Sequence, residues 1–402
     1  MSNPALVAII QDEIKQSGPI PFIRFMELAL YHPGHGYYAS PRKKIGGPGS
    51  DFYTSPSVHP IFAKLLAKQL IQMTEGMAIS PEDPITFIEF GAGDGALCFQ
   101  ILQFIEHDHP TLFHRLGYII VEKSRSFQLH QKERLLPRYA MTVQWEDKMP
   151  SPCVGIVFSN ELLDAFPVHR MRIEINPPVG AGLKPTPTLK EIYLDWKDGN
   201  FLELLHPPSS PLLLSYFDRM NIKRDTAFDC EINLLALDWI RQVGQSLTKG
   251  FVLTLDYGYP AQQLYGRAKG TFLCYHQHTV NENPYDHIGE QDMTSHIDFT
   301  ALAQAGKASG LSPLGFTDQT HFLMGLGIAD EMQIEADKMD QSEEARRNFL
   351  AMRQLMDPAR MGKTFKILVQ GKGVASMGLN GLIFPAFPKE SLDASSEPQI
   401  SH

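Results

Sequence analysis

The stretch Phe87–Gly95, FIEFGAGDG, carries the pattern with the most chemistry in this chain. A short apolar run ends in Glu89, glycines alternate at Gly91, Gly93 and Gly95, and a helix begins at Ala96. Such a turn brings backbone close to a ligand at the carboxyl edge of a parallel sheet. With Ala96 the string also satisfies GxGxxA, the variant dinucleotide fingerprint, so spelling alone leaves two ligand classes open. Charge separates them better. A pyrophosphate seeks the amides of this turn and is repelled by carboxylates there. Glu89 and Asp94 flank and occupy the turn, which favours S-adenosylmethionine, a nucleoside with a sulfonium and an ammonium but no phosphate. A unit pair at ~4 Å is worth about 4 kcal/mol at an effective dielectric near 20, enough to choose between ligands of opposite sign. The competing reading of Asp94 is a cap on the helix at Ala96.

Further candidates fall at the ends of later strands. Glu122 ends the second strand, 27 residues after Gly95, where a carboxylate accepts both ribose hydroxyls of either nucleoside class. Trp145 ends the third, beside the expected adenine, and could equally be a core aromatic. The fourth runs into Asn160, Glu161 and Asp164, three polar groups in five residues where a substrate would be gripped. His276, His278, His287, Asp292, His296 and Asp298 form a loop-rich stretch. A metal site there is the minor reading, because the spacing matches no known ligand set and methyl transfer needs no metal.

The elements that must position these groups alternate. Ile85–Phe90, Tyr118–Glu122, Tyr139–Val143, Val154–Ser159 and Phe251–Asp256 read as buried strands, with helices at Ala96–Glu106 and Ser124–Leu136. Right-handed crossovers then give a doubly wound, Rossmann-like α/β sheet. Residues 1–80 read as a helical segment and lid, with helices near Phe22–Leu30 and after Pro56 and a long loop at Tyr31–Ser55. Residues 81–375 hold the sheet, with insertions at about 175–245 and 328–356, a hairpin at Glu191–Leu205 and a late strand at Thr364–Gln370. Residues 376–402 form a tail whose polar end, from Lys389, reads as disordered.

Composition narrows the class. The chain has 402 residues, 43% apolar and 20% charged, with a formal charge of −9. That suits a soluble globular protein and opposes a phosphate-tracking nucleic-acid binder. No apolar run reaches the ~20 residues of a membrane span. Four scattered cysteines read as buried thiols in a reducing compartment, and Met1–Gly18 reads as an amphipathic helix rather than an address, so the expected location is cytoplasmic.

Taken with PFIRFMELALYHPGHGYY, SDFYTSPSVHPIFAKLLAKQL, SNELLDAFPVHR, LDYGYP and GEQDMTSHIDF, the glycine motif makes the chain resemble the MidA-like class I methyltransferases. That family includes a mitochondrial complex I assembly factor acting as a protein arginine methyltransferase. The resemblance runs in order over about residues 15–375. It implies a seven-stranded sheet, S-adenosylmethionine held at Glu89, Gly91, Gly93 and Glu122, and an N-terminal segment folded over the site. It also implies a protein substrate, a respiratory-complex-like or other basic client, and arginine as acceptor. A protonated guanidinium needs a carboxylate to orient it, with Glu161 first and Asp164 or Asp256 second. Asn160 supports them, and Asp51 and Tyr53 shape the access channel. Two other classes compete: a partner-binding assembly factor without turnover, and an NAD-dependent oxidoreductase.

Overall fold

The computed structural model describes residues 1–40, 58–80, 82–176, 186–277, 279–359, 361–375 and 377–394. Asp51, Tyr53 and His278 lie outside the described residues.

The central sheet contains β1 (Ile85–Phe90), β2 (Leu116–Val121), β3 (Val143–Glu146), β4 (Cys153–Asn160), β5 (Leu247–Tyr259), β6 (Ser312–Asp318) and β7 (Phe365–Lys372). Their order is β6-β7-β5-β4-β1-β2-β3, and the short strand Ile297–Asp298 pairs with the end of β5. The run from β3 to β5 is parallel, while β7 is antiparallel to both β5 and β6. All the parallel strands therefore end at one edge, where β7 begins: Tyr257 lies opposite Phe365. This is the class I methyltransferase sheet that the resemblance implies.

Alternation along each strand feeds two cores. Phe87, Ile156, Phe158, Leu253 and Leu255 face one core with α3 (Ile61–Gly76), α4 (Ala96–Asp108) and α5 (Arg125–Tyr139). Ile88, Val157 and Val252 face the other with α6 (Leu234–Ser246) and α7 (Phe299–Ala308). Helix α3 buries Phe62, Leu65, Leu66, Leu70 and Met73 at the helical spacing of its sequence. The four cysteines are free and buried.

A second, antiparallel sheet sits between β4 and β5. His169–Asn176 pairs with both Thr186–Lys197 and Phe228–Ile232, and Asn200–His206 closes the hairpin. Asp198 and Gly199, at φ 52° and 83°, make its two-residue turn. Ile20–Pro21 adds a strand to the same sheet. The N-terminal helices α1 (Pro4–Ser17) and α2 (Phe22–Tyr31) pack here through Leu6, Ile10, Phe22 and Phe25 against Val168, Leu194 and Phe272.

Three expectations change. Tyr139 ends α5 instead of opening β3, whose strand starts at Val143. The stretch Cys274–Asp298 is no simple loop: Leu273–His276, Thr279–Asn281 and Asp292–Thr294 form a three-stranded sheet. The tail contains a short 3-10 turn at Lys389–Leu392, which contacts α7.

Candidate active site

The loop after β1 is built by three left-handed glycines, at φ 66° for Gly91, 54° for Gly93 and 78° for Gly95. Side chains rarely adopt that region. At Gly91 a Cβ would also stand 2.6 Å from Leu162 Cδ1, so the glycine lets the loop meet the turn after β4. The Gly91 N–H donates to the Val121 carbonyl, which ties the loop to β2.

Glu89 is 2% exposed and accepts a 2.6 Å hydrogen bond from the Tyr118 hydroxyl. Burial pushes its carboxyl up to about 8; the Tyr118 bond opposes this, and Glu122 and Asp94 add to it. A carboxyl so raised holds its proton more tightly than an exposed one, and a neighbouring cation would favour its ionised form. Asp94 behaves as the capping alternative has it. One oxygen accepts from Ala96 N at 3.1 Å and the other pairs with Arg134 at 2.7 Å, so its charge is offset inside the protein.

Glu122, also buried, accepts from Ser124 N at 2.8 Å and from Gln131 at 3.1 Å. Burial raises its pKa, and these donors limit the rise. Gln131 is a residue that sequence reasoning missed. It is fully buried, and its amide nitrogen donates to Gly93 O at 2.9 Å as well as to Glu122. Its amide oxygen accepts from Trp145 Nε1 at 3.0 Å. One side chain therefore fixes the glycine loop, the Glu122 carboxyl and the half-buried indole together. The available signal was position: Gln131 shares a face with the buried Leu135 and Tyr139 at steps of four. Gln131→Leu is expected to weaken S-adenosylhomocysteine about tenfold, since two donors and one acceptor vanish from a buried network. Calorimetric titration measures this; an unchanged affinity refutes the bridging role.

At the end of β4, Asn160 donates to Glu161 at 3.0 Å. Glu161 sits at φ 53°, a strained conformation for a residue with a side chain. The turn is held from beneath by Asp256, which is fully buried. One of its oxygens accepts from the N–H groups of Leu162, Leu163 and Asp164, the other from Tyr257 N. Asp256, one of the two second choices for gripping substrate, thus has its oxygens committed to backbone. Asp164 is 5% exposed, and its carboxyl is pushed well up by burial and by Asp256, Glu161 and Asp292.

Asp292, by sequence a metal-ligand candidate, instead lies in the field of Asp164 and accepts from the Tyr38 hydroxyl at 2.7 Å. Among the described residues no group of three potential ligands could hold a metal. Tyr31 donates to Ala165 O at 2.9 Å, and Ser124 Oγ to Tyr38 O at 2.8 Å. The N-terminal segment therefore bridges the Glu122 loop and the Asp164 turn.

The donor set fits an adenosyl sulfonium nucleoside. One buried carboxyl, Glu122, stands at the end of β2 and a second, Glu89, beside the glycine loop. Asn160 Oδ1, at the adjoining turn, is a buried acceptor with no partner among the described residues. Residues 65–317 match the family of S-adenosyl-L-methionine-dependent methyltransferases named Methyltransf_28. The chain belongs to that family.

A crystallised Burkholderia thailandensis protein bound to S-adenosyl-homocysteine is similar to this methyltransferase, with TM-score 0.80 and 30% identity over 94% of each chain. Among curated proteins, a mitochondrial protein arginine methyltransferase from Drosophila melanogaster is 24% identical, over 94% of this chain and 87% of its own length. The Bos taurus protein of the same description is 26% identical over 89% and 81%. S-adenosylmethionine is accordingly the cofactor, and the oxidoreductase and non-enzymatic alternatives fall away. The cytoplasmic expectation is also overturned, because these curated relatives are named as mitochondrial proteins. No helix among the described residues is long and apolar enough to cross a membrane.

Proposed function

We propose that this methyltransferase modifies an arginine side chain of a protein, with Glu89, Gly91, Gly93, Gln131 and Glu122 holding the cofactor and Glu161, Asp164 and Asn160 serving the acceptor. One observation carries the reading. Glu161, Asp164, Asp256 and Asp292 converge at the sheet edge among Tyr31, Tyr38, Tyr257 and Tyr275, whose hydroxyl pKa values these carboxylates help to raise after burial. A buried excess of carboxylates suits a cation, and aromatic rings suit a planar one. The names of the curated relatives agree in reaction and acceptor.

Bound S-adenosylmethionine supplies a methyl on a cationic sulfur, open to in-line attack by a nitrogen. The protein's work is placement and charge. Glu161, set on a left-handed backbone and steadied by Asn160, takes guanidinium N–H groups and leaves one nitrogen to attack. Arrival of the cation favours ionised Asp164, which can then receive the proton released on transfer, because its surroundings raise its proton affinity. Asp94 and Trp145 support this arrangement from outside, through the helix cap and the Gln131 bond.

Incubation with methyl-labelled cofactor and a protein extract, followed by mass spectrometric location of the label, tests the reading. The expected result is methyl on arginine of one or few proteins. Label on another residue type, or on small molecules alone, overturns it.

A further inference from the structure

Outside the acidic cup, at the same edge of the sheet, aromatic and basic side chains lie in series. Tyr257, which shares the field of Glu161 and Asp164, stacks on His296 with 6.0 Å between ring centroids and 9° between planes. His296 meets Tyr259 at 5.4 Å. Tyr259 in turn faces two cations: the Arg267 guanidinium carbon lies 4.1 Å from its centroid and the Lys366 ammonium 4.7 Å. Lys366 also faces the Phe387 ring at 5.5 Å.

The charges are unequal in access. Lys366 is 1% exposed, bonds the Lys363 carbonyl and lies in the field of Asp318. Arg267 is partly exposed, and among the described residues it has no carboxylate partner. Burial, then Arg267 and Lys366, push His296 down to about 4, so the imidazole is a neutral step between the acidic cup and the basic end. In a chain with a net charge of −9, an unpaired guanidinium at the end of an aromatic rail beside an acidic cup is a distinct feature.

We propose that the rail carries the substrate segment next to the acceptor, and that Arg267 captures a carboxylate on it, from an acidic side chain or a chain terminus. This rests on the arginine reading of the cup. An extended chain rises about 3.3 Å per residue, so ring steps of 6.0 and 5.4 Å place that carboxylate about two to four residues from the acceptor arginine. Guanidinium binds carboxylate through two parallel N–H bonds, which gives the subsite its selectivity. Lys366, held under Tyr259 with its pKa lowered by burial to about 8, adds positive field at neutral pH without touching the ligand.

The test uses peptides with a single arginine. One has Glu three residues away, one Gln and one Lys there; two more end three residues away, one as the free carboxylate and one as the amide. The wild-type enzyme is expected to favour a carboxylate peptide over its neutral counterpart about tenfold in kcat/KM, chiefly through KM. Preference for Glu over Gln identifies a side chain as the source; preference for the free end over the amide identifies a terminus. Arg267→Glu should invert the order toward the Lys peptide, and Arg267→Gln should flatten it, both with S-adenosylhomocysteine affinity unchanged. Equal rates on all peptides, or a carboxylate preference that survives Arg267→Glu, refutes the subsite while arginine transfer stands. Absence of label on every arginine peptide and on arginine in protein extract overturns the arginine reading and this inference together.

Discussion

Replacing Glu161 by Gln is expected to cut methyl transfer to an arginine substrate about 100-fold or more, with S-adenosylhomocysteine affinity within about twofold of wild type. The substitution keeps the shape of the side chain and removes its charge. A hydrogen bond to a charged group contributes ~1.5–3 kcal/mol, and the loss grows when the charge also fixes which nitrogen attacks. The Asn160 amide that now donates to Glu161 would meet an uncharged acceptor, weakening the second support of the geometry. The backbone adds a separate readout. Glu161 holds φ 53°, which costs about 1 kcal/mol or more for a residue with a side chain and nothing comparable for glycine. Glu161→Gly should therefore be at least as thermally stable as wild type while losing turnover. Single-turnover transfer, S-adenosylhomocysteine titration and a melting curve on the same preparations check the three statements. Turnover of the Gln variant within threefold of wild type removes Glu161 from the mechanism.

The sequence exposed this site unevenly, for physical reasons. Glu89, Glu122, Glu161 and Asp164 were legible as candidates because each lies at or just past the end of a buried apolar run, and the carboxyl ends of parallel strands share one edge. Their protonation was not legible. The electrostatic argument for a cationic ligand assumes ionised groups at Glu89 and Asp94, but burial of one and the Arg134 pair of the other set the charge, and both follow from packing. Asp256 and Asp292 act through partners 92–94 and 254 positions away, beyond any local pattern, while Gln131, which joins Glu122 to Gly93 across 38 positions, showed only its helical spacing with Leu135 and Tyr139. In the fold, β1, β2, β4, β5 and β7 stood out as apolar runs, while β6, which carries Pro313 and Gly315 and is exposed over its first half, did not. Tyr139 misled because an aromatic followed by Ala, Met, Thr and Val suits a strand, while the helix in fact continues through Pro137. The antiparallel sheet was only half visible. Its hairpin has a local Asp-Gly turn, whereas His169–Asn176 and Phe228–Ile232 pair across more than fifty residues, as Met171 with Cys230. The strands within Cys274–Asp298 are three or four residues long, too short to show a period.

Cofactor affinity should rise with pH, by up to about tenfold per unit below pH 8 and little above it. The sign follows from Glu89. Its carboxyl, buried against Tyr118, holds a proton up to about pH 8 in the free protein, whereas the unfolded chain loses that proton near 4.5. Between those values the native state binds more protons than the unfolded one, so the Glu89 contribution to stability falls as pH rises through that window. Ligand binding runs the other way. The ammonium of S-adenosylhomocysteine favours ionised Glu89, binding expels the proton, and the cost of expulsion disappears as pH approaches 8. From pH 8 to 6 the affinity is expected to drop by up to about 100-fold, and the ligand-induced rise in melting temperature should shrink with it. Calorimetry at pH 7 in two buffers of different ionisation heat should count close to one proton released per ligand. Glu122 is also buried with a raised pKa, so it is the competing source of such a slope. Glu89→Gln should bind more weakly at pH 8 and flatten the profile, while Glu122→Gln should weaken binding at every pH and keep the slope. A wild-type affinity that is flat from pH 6 to 8, or a slope that persists in Glu89→Gln, would mean that Glu89 keeps its proton when the nucleoside binds and that the glycine loop selects its ligand by shape instead of charge.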